Sequence, residues 1–232
     1  MSTYKIASIE GNIGSGKSTL LEHLREHYKN NERVIFLREP VDEWDKIKDT
    51  QGNTMLKKFY ADQEKYSFPF QMMAYISRLK IMRDAIKEIT NKNINDTNET
   101  KNYLIITERS LYTDKHVFAK LLYDQGKIED VCYTIYLNWF DEFATDFQIN
   151  YTVYVKTDPT NCYDRIHKRS RDGEEVIPLS YLQLCHNYHD DFINETTEFN
   201  SNKLLIDGNV DIYKNEQIIE DWIAQINGFI GN

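Results

Sequence analysis

Apolar residues are distributed unevenly along this chain. Five short runs are almost continuously aliphatic, β-branched or aromatic: YKIASIE (4–10), RVIFL (33–37), YLIITE (103–108), YTVYVK (151–156) and KLLID (203–207). Runs of this kind predict strands buried on both faces, and longer stretches with helical spacing separate them. The alternation predicts an α/β fold, a five-stranded parallel sheet with helices on both faces. The longest helical pattern covers about residues 66–90, where Phe68, Met72, Ile76, Leu79, Met82, Ile86 and Ile89 recur near helical spacing. Pro69 is expected in its first turn, where the missing N–H is not needed. The polar, Asn-rich stretch 91–102 predicts an exposed loop. A second pattern, 128–147, carries Ile128, Val131, Cys132, Ile135, Trp139, Phe140 and Phe143 on a stripe wide enough to predict a core helix. With no repeat or linker visible in 232 residues, a single domain over 1–232 is expected.

Open parallel sheets bind ligands beyond the carboxyl ends of their strands. The residues ending the five runs are Glu10, Arg38-Glu39, Glu108-Arg109, Lys156-Thr157-Asp158 and Asp207. The first run leads into Gly11, Asn12, Ile13, Gly14, Ser15, Gly16, Lys17, Ser18 and Thr19, which satisfies the phosphate-binding loop spacing between a strand and a helix. Such a loop points successive backbone N–H groups into one concavity at a helix N-terminus. Lys17 is placed to reach the β- and γ-phosphates of a triphosphate, and the Ser18 hydroxyl to ligate Mg²⁺. The loop says that a triphosphate is bound and leaves its fate open.

Other segments bear on that fate. Pro40 biases Glu39 toward an extended conformation at the sheet edge; the carboxylate there is either a proton acceptor for an attacking hydroxyl or a solvated acid on a turn. Glu108 stands where phosphate-loop enzymes hold an acid near Mg²⁺. Arg109 beside it either pairs with Glu39 or belongs to a structural ion-pair network. Gln71, Ala74 and Arg78 fall at i, i+3 and i+7, on one face of the long helix. A Gln amide offers both a donor and an acceptor, which suits a nucleobase edge. In YDRIHKRSRDGEE, Arg165 and Arg169 lie one helical turn apart with Lys168 and Arg171 nearby. This is either a surface basic patch or an arginine lid, about residues 165–178, over a transferring phosphoryl group.

Composition narrows the setting. A net charge of −9 argues against a general nucleic-acid or membrane-surface binder. Cys132, Cys162 and Cys185 share no close spacing, which fits neither a disulfide framework nor a zinc site. The first strand starts close to Met1, leaving no room for a leader, and no apolar run is long enough to span a membrane. A cytoplasmic protein is expected.

The segments EGNIGSGKST, REPVDEW, YSFPFQMMAYISR, ERSLYTD and RIHKRSRDGEE, in this order and spacing, resemble the deoxyribonucleoside kinase family. The resemblance extends from about residue 5 to Tyr188. It implies a P-loop kinase fold with an arginine-rich lid that uses ATP or another NTP, with Mg²⁺, to phosphorylate a small-molecule deoxynucleoside. By the same resemblance Glu39 is the base on the 5′-hydroxyl, supported by Arg109. Gln71 pairs with the nucleobase, and Tyr60 with Glu174 holds the 3′-hydroxyl. Trp44, Phe70 and Phe118 wall the nucleoside slot. Glu108 positions Mg²⁺, Arg165, Arg169 and Arg171 act from the lid, and the Val210–Asp211–Ile212 stretch touches the donor base. The presence of both Arg78 and Asp114 accompanies purine or deoxycytidine preference over thymidine, and a homodimer is implied. Two departures are visible: Asp114-Lys115-His116 replaces the family's Asp-Arg-Tyr, and Tyr66 stands where Trp is common. A nucleoside monophosphate kinase and a P-loop switch remain the alternatives, separable by the acceptor used and by whether stoichiometric product forms.

Overall fold

The chain is described by a computed structural model covering residues 4–95, 101–169, 173–195, 202–212 and 217–231. All five expected strands form: β1 (Tyr4–Glu10), β2 (Val34–Leu37), β3 (Tyr103–Glu108), β4 (Tyr151–Lys156) and β5 (Asn202–Asp207). They pair in the order β2-β3-β1-β4-β5, every neighbour parallel. From β1 the chain crosses to one side for β2 and β3, then to the other for β4 and β5. The reversal sets a crevice at the carboxyl end of β1 and β3, where open α/β sheets take ligands.

Alternate residues of the strands face opposite layers. Ile6, Ile105 and Tyr154 pack under α4 (Gln63–Asn95) and α7 (Asp130–Phe143). Ala7, Ile9, Ile106, Val153 and Val155 pack under α1 (Lys17–His27) and α10 (Gln217–Gly231). Burying one such aliphatic side chain stabilises the fold by about 1.5–3 kcal/mol, which explains the unbroken apolar runs. A third cluster lies below the crevice, where α2 (Val41–Trp44), α3 (Met55–Ala61), α8 (Pro159–Arg169) and α9 (Leu179–Glu195) meet α4.

Three expectations are corrected. α4 begins at Gln63 because Asp62 accepts a bond from the Lys65 N–H (3.1 Å) and so caps an earlier start. Pro69 is therefore inside the helix, beyond its first turn. A proline there leaves the carbonyl four residues back without its partner, at a typical cost of ~3 kcal/mol, and burial of the apolar neighbours Phe70 and Ala74 counts against it. The helix also runs on to Asn95, through the first residues of the expected loop. Asn93 stabilises this extension by bonding both the N–H and the carbonyl of Lys101 at 3.1 Å. On α7, Tyr136 and Phe140 are buried, but Val131, Ile135, Trp139 and Phe143 are exposed. Half of that wide stripe is surface rather than core.

The segment after β3 is helical from Leu111 to Asp124: α5 (Leu111–Thr113), a π-helical stretch Asp114–Ala119, and α6 (Lys120–Asp124). Such π-helical insertions are frequent at functional sites. Among the described residues no helix is long and apolar enough to cross a membrane.

Candidate active site

The loop after β1 turns under tight constraints. Gly14 has φ +77°, and a Cβ there would lie 2.6 Å from the Cys162 carbonyl oxygen on α8. Asn12 donates to the Leu182 carbonyl (2.8 Å), and Thr157 and Arg165 both donate to the Ser15 carbonyl (3.0 and 3.2 Å). The loop is thereby tied to α8, α9 and the end of β4. Lys17 Nζ donates to the Asn12 carbonyl at 2.6 Å. Burial, then Arg109, lowers the Lys17 ammonium to about 7, and Glu108 and Glu39 oppose that shift.

At the start of α1 the Ser18 hydroxyl donates to Glu108 Oε1 at 2.5 Å. Two hard oxygen donors thus meet beside the phosphate loop, a set that suits Mg²⁺, which binds few protein oxygens and keeps its other positions for phosphate and water. Among the described residues there is no cluster of three or more His, Cys, Asp or Glu that could cage a metal ion without a phosphate ligand.

Across the cleft, Glu39 stands just beyond β2. Arg109 Nη1 donates to both its oxygens (2.8 and 3.0 Å), and Arg78 Nη2 donates to Oε1 (2.9 Å). Burial raises the Glu39 carboxyl, but Arg109, Arg78 and Lys17 overcome that effect and hold it at about 2. It is a permanently ionised carboxylate at neutral pH. Arg78 is itself fixed from two more sides, Nε to Asp114 Oδ2 (2.9 Å) and Nη1 to the Glu108 carbonyl (2.8 Å). Asp114 and Glu39 hold this buried guanidinium firmly protonated against the desolvation that opposes charge.

These groups line one cavity of about 680 Å³ that runs from the phosphate loop to α4. On its α4 wall Gln71 is buried, and its Oε1 has no hydrogen-bond partner among the described residues. An unpaired buried amide oxygen is costly, so a ligand hydrogen bond is its natural complement. Phe70 stacks on Phe59 (4.4 Å between ring centroids) and meets the edge of Trp44 (5.7 Å). Trp44 is held by a bond from Nε1 to Ser77 Oγ (2.8 Å). The Arg109 guanidinium lies 4.9 Å from the centre of the Phe118 ring.

Of the remaining sequence candidates, Gly11 and Asn12 do not line the cavity, and the other described ones do. Thr19, Tyr60, Glu174, Arg165, Arg169 and Asp211 all line it. Burial first, then the nearby Glu174 charge, raises the Tyr60 hydroxyl's pKa and keeps it neutral. Glu174 is buried and paired with Arg169. Arg165 spans two loops, from the Ser15 carbonyl to the Val210 carbonyl (3.2 Å each). Arg171 lies outside the described residues. Sequence reasoning missed Phe59, Tyr181, Asn161, Asn209 and Trp222, which also line the cavity. Phe59 was within reach, since it precedes Tyr60 in a short amphipathic segment. Trp222 comes from the C-terminal helix and carries no local signal.

The sheet, the glycine loop and a second carboxylate-bearing wall in one cleft define a P-loop phosphotransferase. The deoxynucleoside kinase family model matches residues 7–231, and the chain belongs to that family. It is 34% identical to a probable deoxycytidine kinase of fowlpox virus (strain NVSL), over 99% of this chain and 90% of that protein. It is 30% identical to deoxycytidine kinase 1 of Xenopus laevis, over 97% of this chain and 90% of the relative. A mitochondrial deoxyguanosine kinase of Xenopus laevis shares 29% identity over 83% of this chain and 74% of its own length. The protein is a deoxynucleoside kinase, an enzyme that transfers a phosphoryl group from a nucleotide donor to a nucleoside.

Proposed function

We propose that this enzyme, acting as one domain, transfers the γ-phosphoryl of ATP or a similar triphosphate to the 5′-hydroxyl of deoxyadenosine, deoxyguanosine or deoxycytidine in preference to thymidine. The observation that carries this reading is the Glu39 carboxylate, clamped by Arg109 and Arg78 on the wall that also bears the unpaired Gln71 amide oxygen, facing the phosphate loop across one cavity.

In the reaction, Glu39 accepts the proton of the 5′-hydroxyl as its oxygen bonds to the γ-phosphorus and the bond to the β-phosphate's bridging oxygen breaks. A carboxylate held near 2 is a weak base. It suffices because phosphoryl transfer proceeds through a loose transition state in which the nucleophile needs little early deprotonation. Pairing with two guanidiniums guarantees that the base is ionised and aimed, and such general-base help is typically worth ~10² to 10⁴ in rate. Mg²⁺ held by Ser18 and Glu108 would neutralise charge on the β- and γ-phosphoryl oxygens. Lys17 holds those phosphates from the loop side, and Arg169 approaches from the lid. Arg165 braces the phosphate loop against the 210–212 stretch, where Asp211 borders the donor.

The nucleoside lies between Phe70 and Trp44 on one side and Phe118 on the other. Gln71 reads the base edge, and Tyr60 with Glu174 binds the 3′-hydroxyl. Asp114 pins Arg78 where a thymine methyl would have to sit, and this supports the substrate preference. The same Arg78 also bonds Glu39, so it joins substrate choice to catalysis. A salvage role in the cytoplasm and a homodimer through the exposed face of α7 belong to this reading. Val131, Ile135, Trp139 and Phe143, spaced every four residues, form an apolar face suited to a second copy.

A monophosphate kinase would need a basic seat for the acceptor's phosphate, where Glu39 instead presents negative charge. Incubating the enzyme with ATP, Mg²⁺ and either a deoxynucleoside or its 5′-monophosphate separates the two. Phosphorylation of the nucleoside is expected; turnover of the monophosphate alone would replace this reading with the other.

A further inference from the structure

Arg109 is the only non-glycine among the described residues with a positive φ, +61°. L-residues with a side chain enter the left-handed region only when their surroundings over-determine it, and such residues cluster at functional sites. Here the turn converts the end of β3 into the start of α5 within two residues, and it sends the Arg109 side chain toward Glu39.

Each side of the turn is fixed by a separate group. The Arg109 N–H bonds the Ile9 carbonyl at 3.0 Å, completing the β1–β3 ladder. Beyond the turn, Ser110 Oγ accepts from the Thr113 N–H (3.2 Å), and the Thr113 hydroxyl donates to the buried Glu10 carboxylate. Between these anchors lies the Arg109 carbonyl, whose direction sets the plane of the reversed peptide. It accepts a bond of 2.6 Å from the Thr107 hydroxyl, two residues earlier on β3. Thr107 is buried and pairs in register with Ser8 and Leu37.

We propose that the Thr107 hydroxyl is a positioning group for phosphoryl transfer: it holds the Arg109 carbonyl and so locks the left-handed turn that aims the Arg109 guanidinium at Glu39. Thr107 does not line the cavity. It acts through Arg109, whose Nη1 bonds both Glu39 oxygens, whose guanidinium also lies against the Phe118 ring, and whose Nε has no hydrogen-bond partner in the described residues. Without the hydroxyl the buried carbonyl loses its donor, the peptide is free to rotate toward negative φ, and the guanidinium moves off the carboxylate. Displacements on the scale of an ångström cost up to ~10² in rate.

The proposal rests on the base role of Glu39 given above, and the test separates the two. Thr107→Val keeps the shape and β-branching and removes the donor; Thr107→Ser restores the donor. With ATP, Mg²⁺ and the preferred deoxynucleoside, Thr107→Val is expected to lose roughly tenfold or more in kcat. Both KM values should stay within about threefold, and Thr107→Ser should recover most of the loss. Unchanged kcat in Thr107→Val overturns the proposal. So does a variant that loses donor affinity, kcat and thermal stability together, since that marks a strut of the whole fold. A wild type inactive toward every deoxynucleoside would fail the kinase reading instead. A crystal structure of Thr107→Val still decides the positioning claim in that case: Arg109 displaced from Glu39 supports it, and an unchanged turn with both bonds intact refutes it.

Discussion

Glu39 shows how one side chain is prepared by its neighbours. Desolvation alone would favour its neutral form, yet two buried guanidiniums and the Lys17 ammonium keep it ionised. Glu39→Gln should lower kcat by ~10² or more while leaving nucleoside affinity within a few-fold, measured by steady-state kinetics and calorimetry. Retained activity would remove Glu39 from the role of base. The lowered pKa also fixes the pH dependence. A folded-state value near 2 lies below the ~4.3 of a free glutamate, so the carboxylate is ionised throughout pH 5 to 8. The kcat/KM profile should carry no acidic limb from Glu39 in that interval; a limb near pH 6 that disappears in Glu39→Gln would contradict the assignment. The stability linked to this group is complete above the unfolded value and lost as pH falls toward 2. Single residues of the site were legible where a residue type marked them. The Arg109–Glu39 pair was one of two readings open in the sequence; the second bond, from Arg78, was not legible, because it joins α4 to the end of β2.

Two elements, α4 and the π-helical stretch, together make one wall of the cavity, the wall proposed to hold the nucleoside. α4 supplies Gln71 and Arg78 seven residues apart, and the π-helical stretch supplies Asp114 and Phe118, four apart. Asp114 holds Arg78 at 2.9 Å, and Arg78 in turn touches Glu39. Arg78→Met combined with Asp114→Ala should therefore raise the ratio of thymidine to deoxycytidine kcat/KM by at least tenfold while lowering kcat for every substrate. An unchanged ratio would undo the specificity argument. The shared face of Gln71, Ala74 and Arg78 was visible from helical periodicity. The helix's true ends were not: Asp62 and Asn93 act through specific side-chain bonds rather than through the apolar period. α7 carries the matching lesson, since a stripe too wide for one core reads as core in sequence although half of it faces outward. Trp139→Glu on that face should convert a homodimer to a monomer in analytical ultracentrifugation, with the fold intact by circular dichroism. A wild type already monomeric at micromolar concentration would count against the homodimer.

At the scale of the whole molecule, the central strands β1, β3 and β4 were readable because they are buried on both faces and so nearly continuously apolar, whereas the edge strands β2 and β5, also expected to be buried, are only partly covered. Their order was less so, since pairing is decided by the packing of α1 and α10 on one layer and α4 and α7 on the other. That order brings the ends of β1, β2 and β3 together and with them the phosphate loop, Glu39 and the Glu108-Arg109 turn. The end of the cavity beyond the phosphate loop shows the limit of local reading most clearly. Asn161 sits on α8, Asn209 just beyond β5 and Trp222 on α10, and only the closed fold makes them neighbours. The central claim is that this cleft carries phosphate from a triphosphate to the 5′-hydroxyl of a deoxynucleoside other than thymidine. The most direct measurement is the initial rate of 5′-monophosphate formation from each of the four deoxynucleosides with ATP and Mg²⁺. At least one of deoxyadenosine, deoxyguanosine and deoxycytidine should show a kcat/KM tenfold or more above that of thymidine. Transfer to none of them, or thymidine turnover comparable to all three, would contradict the account.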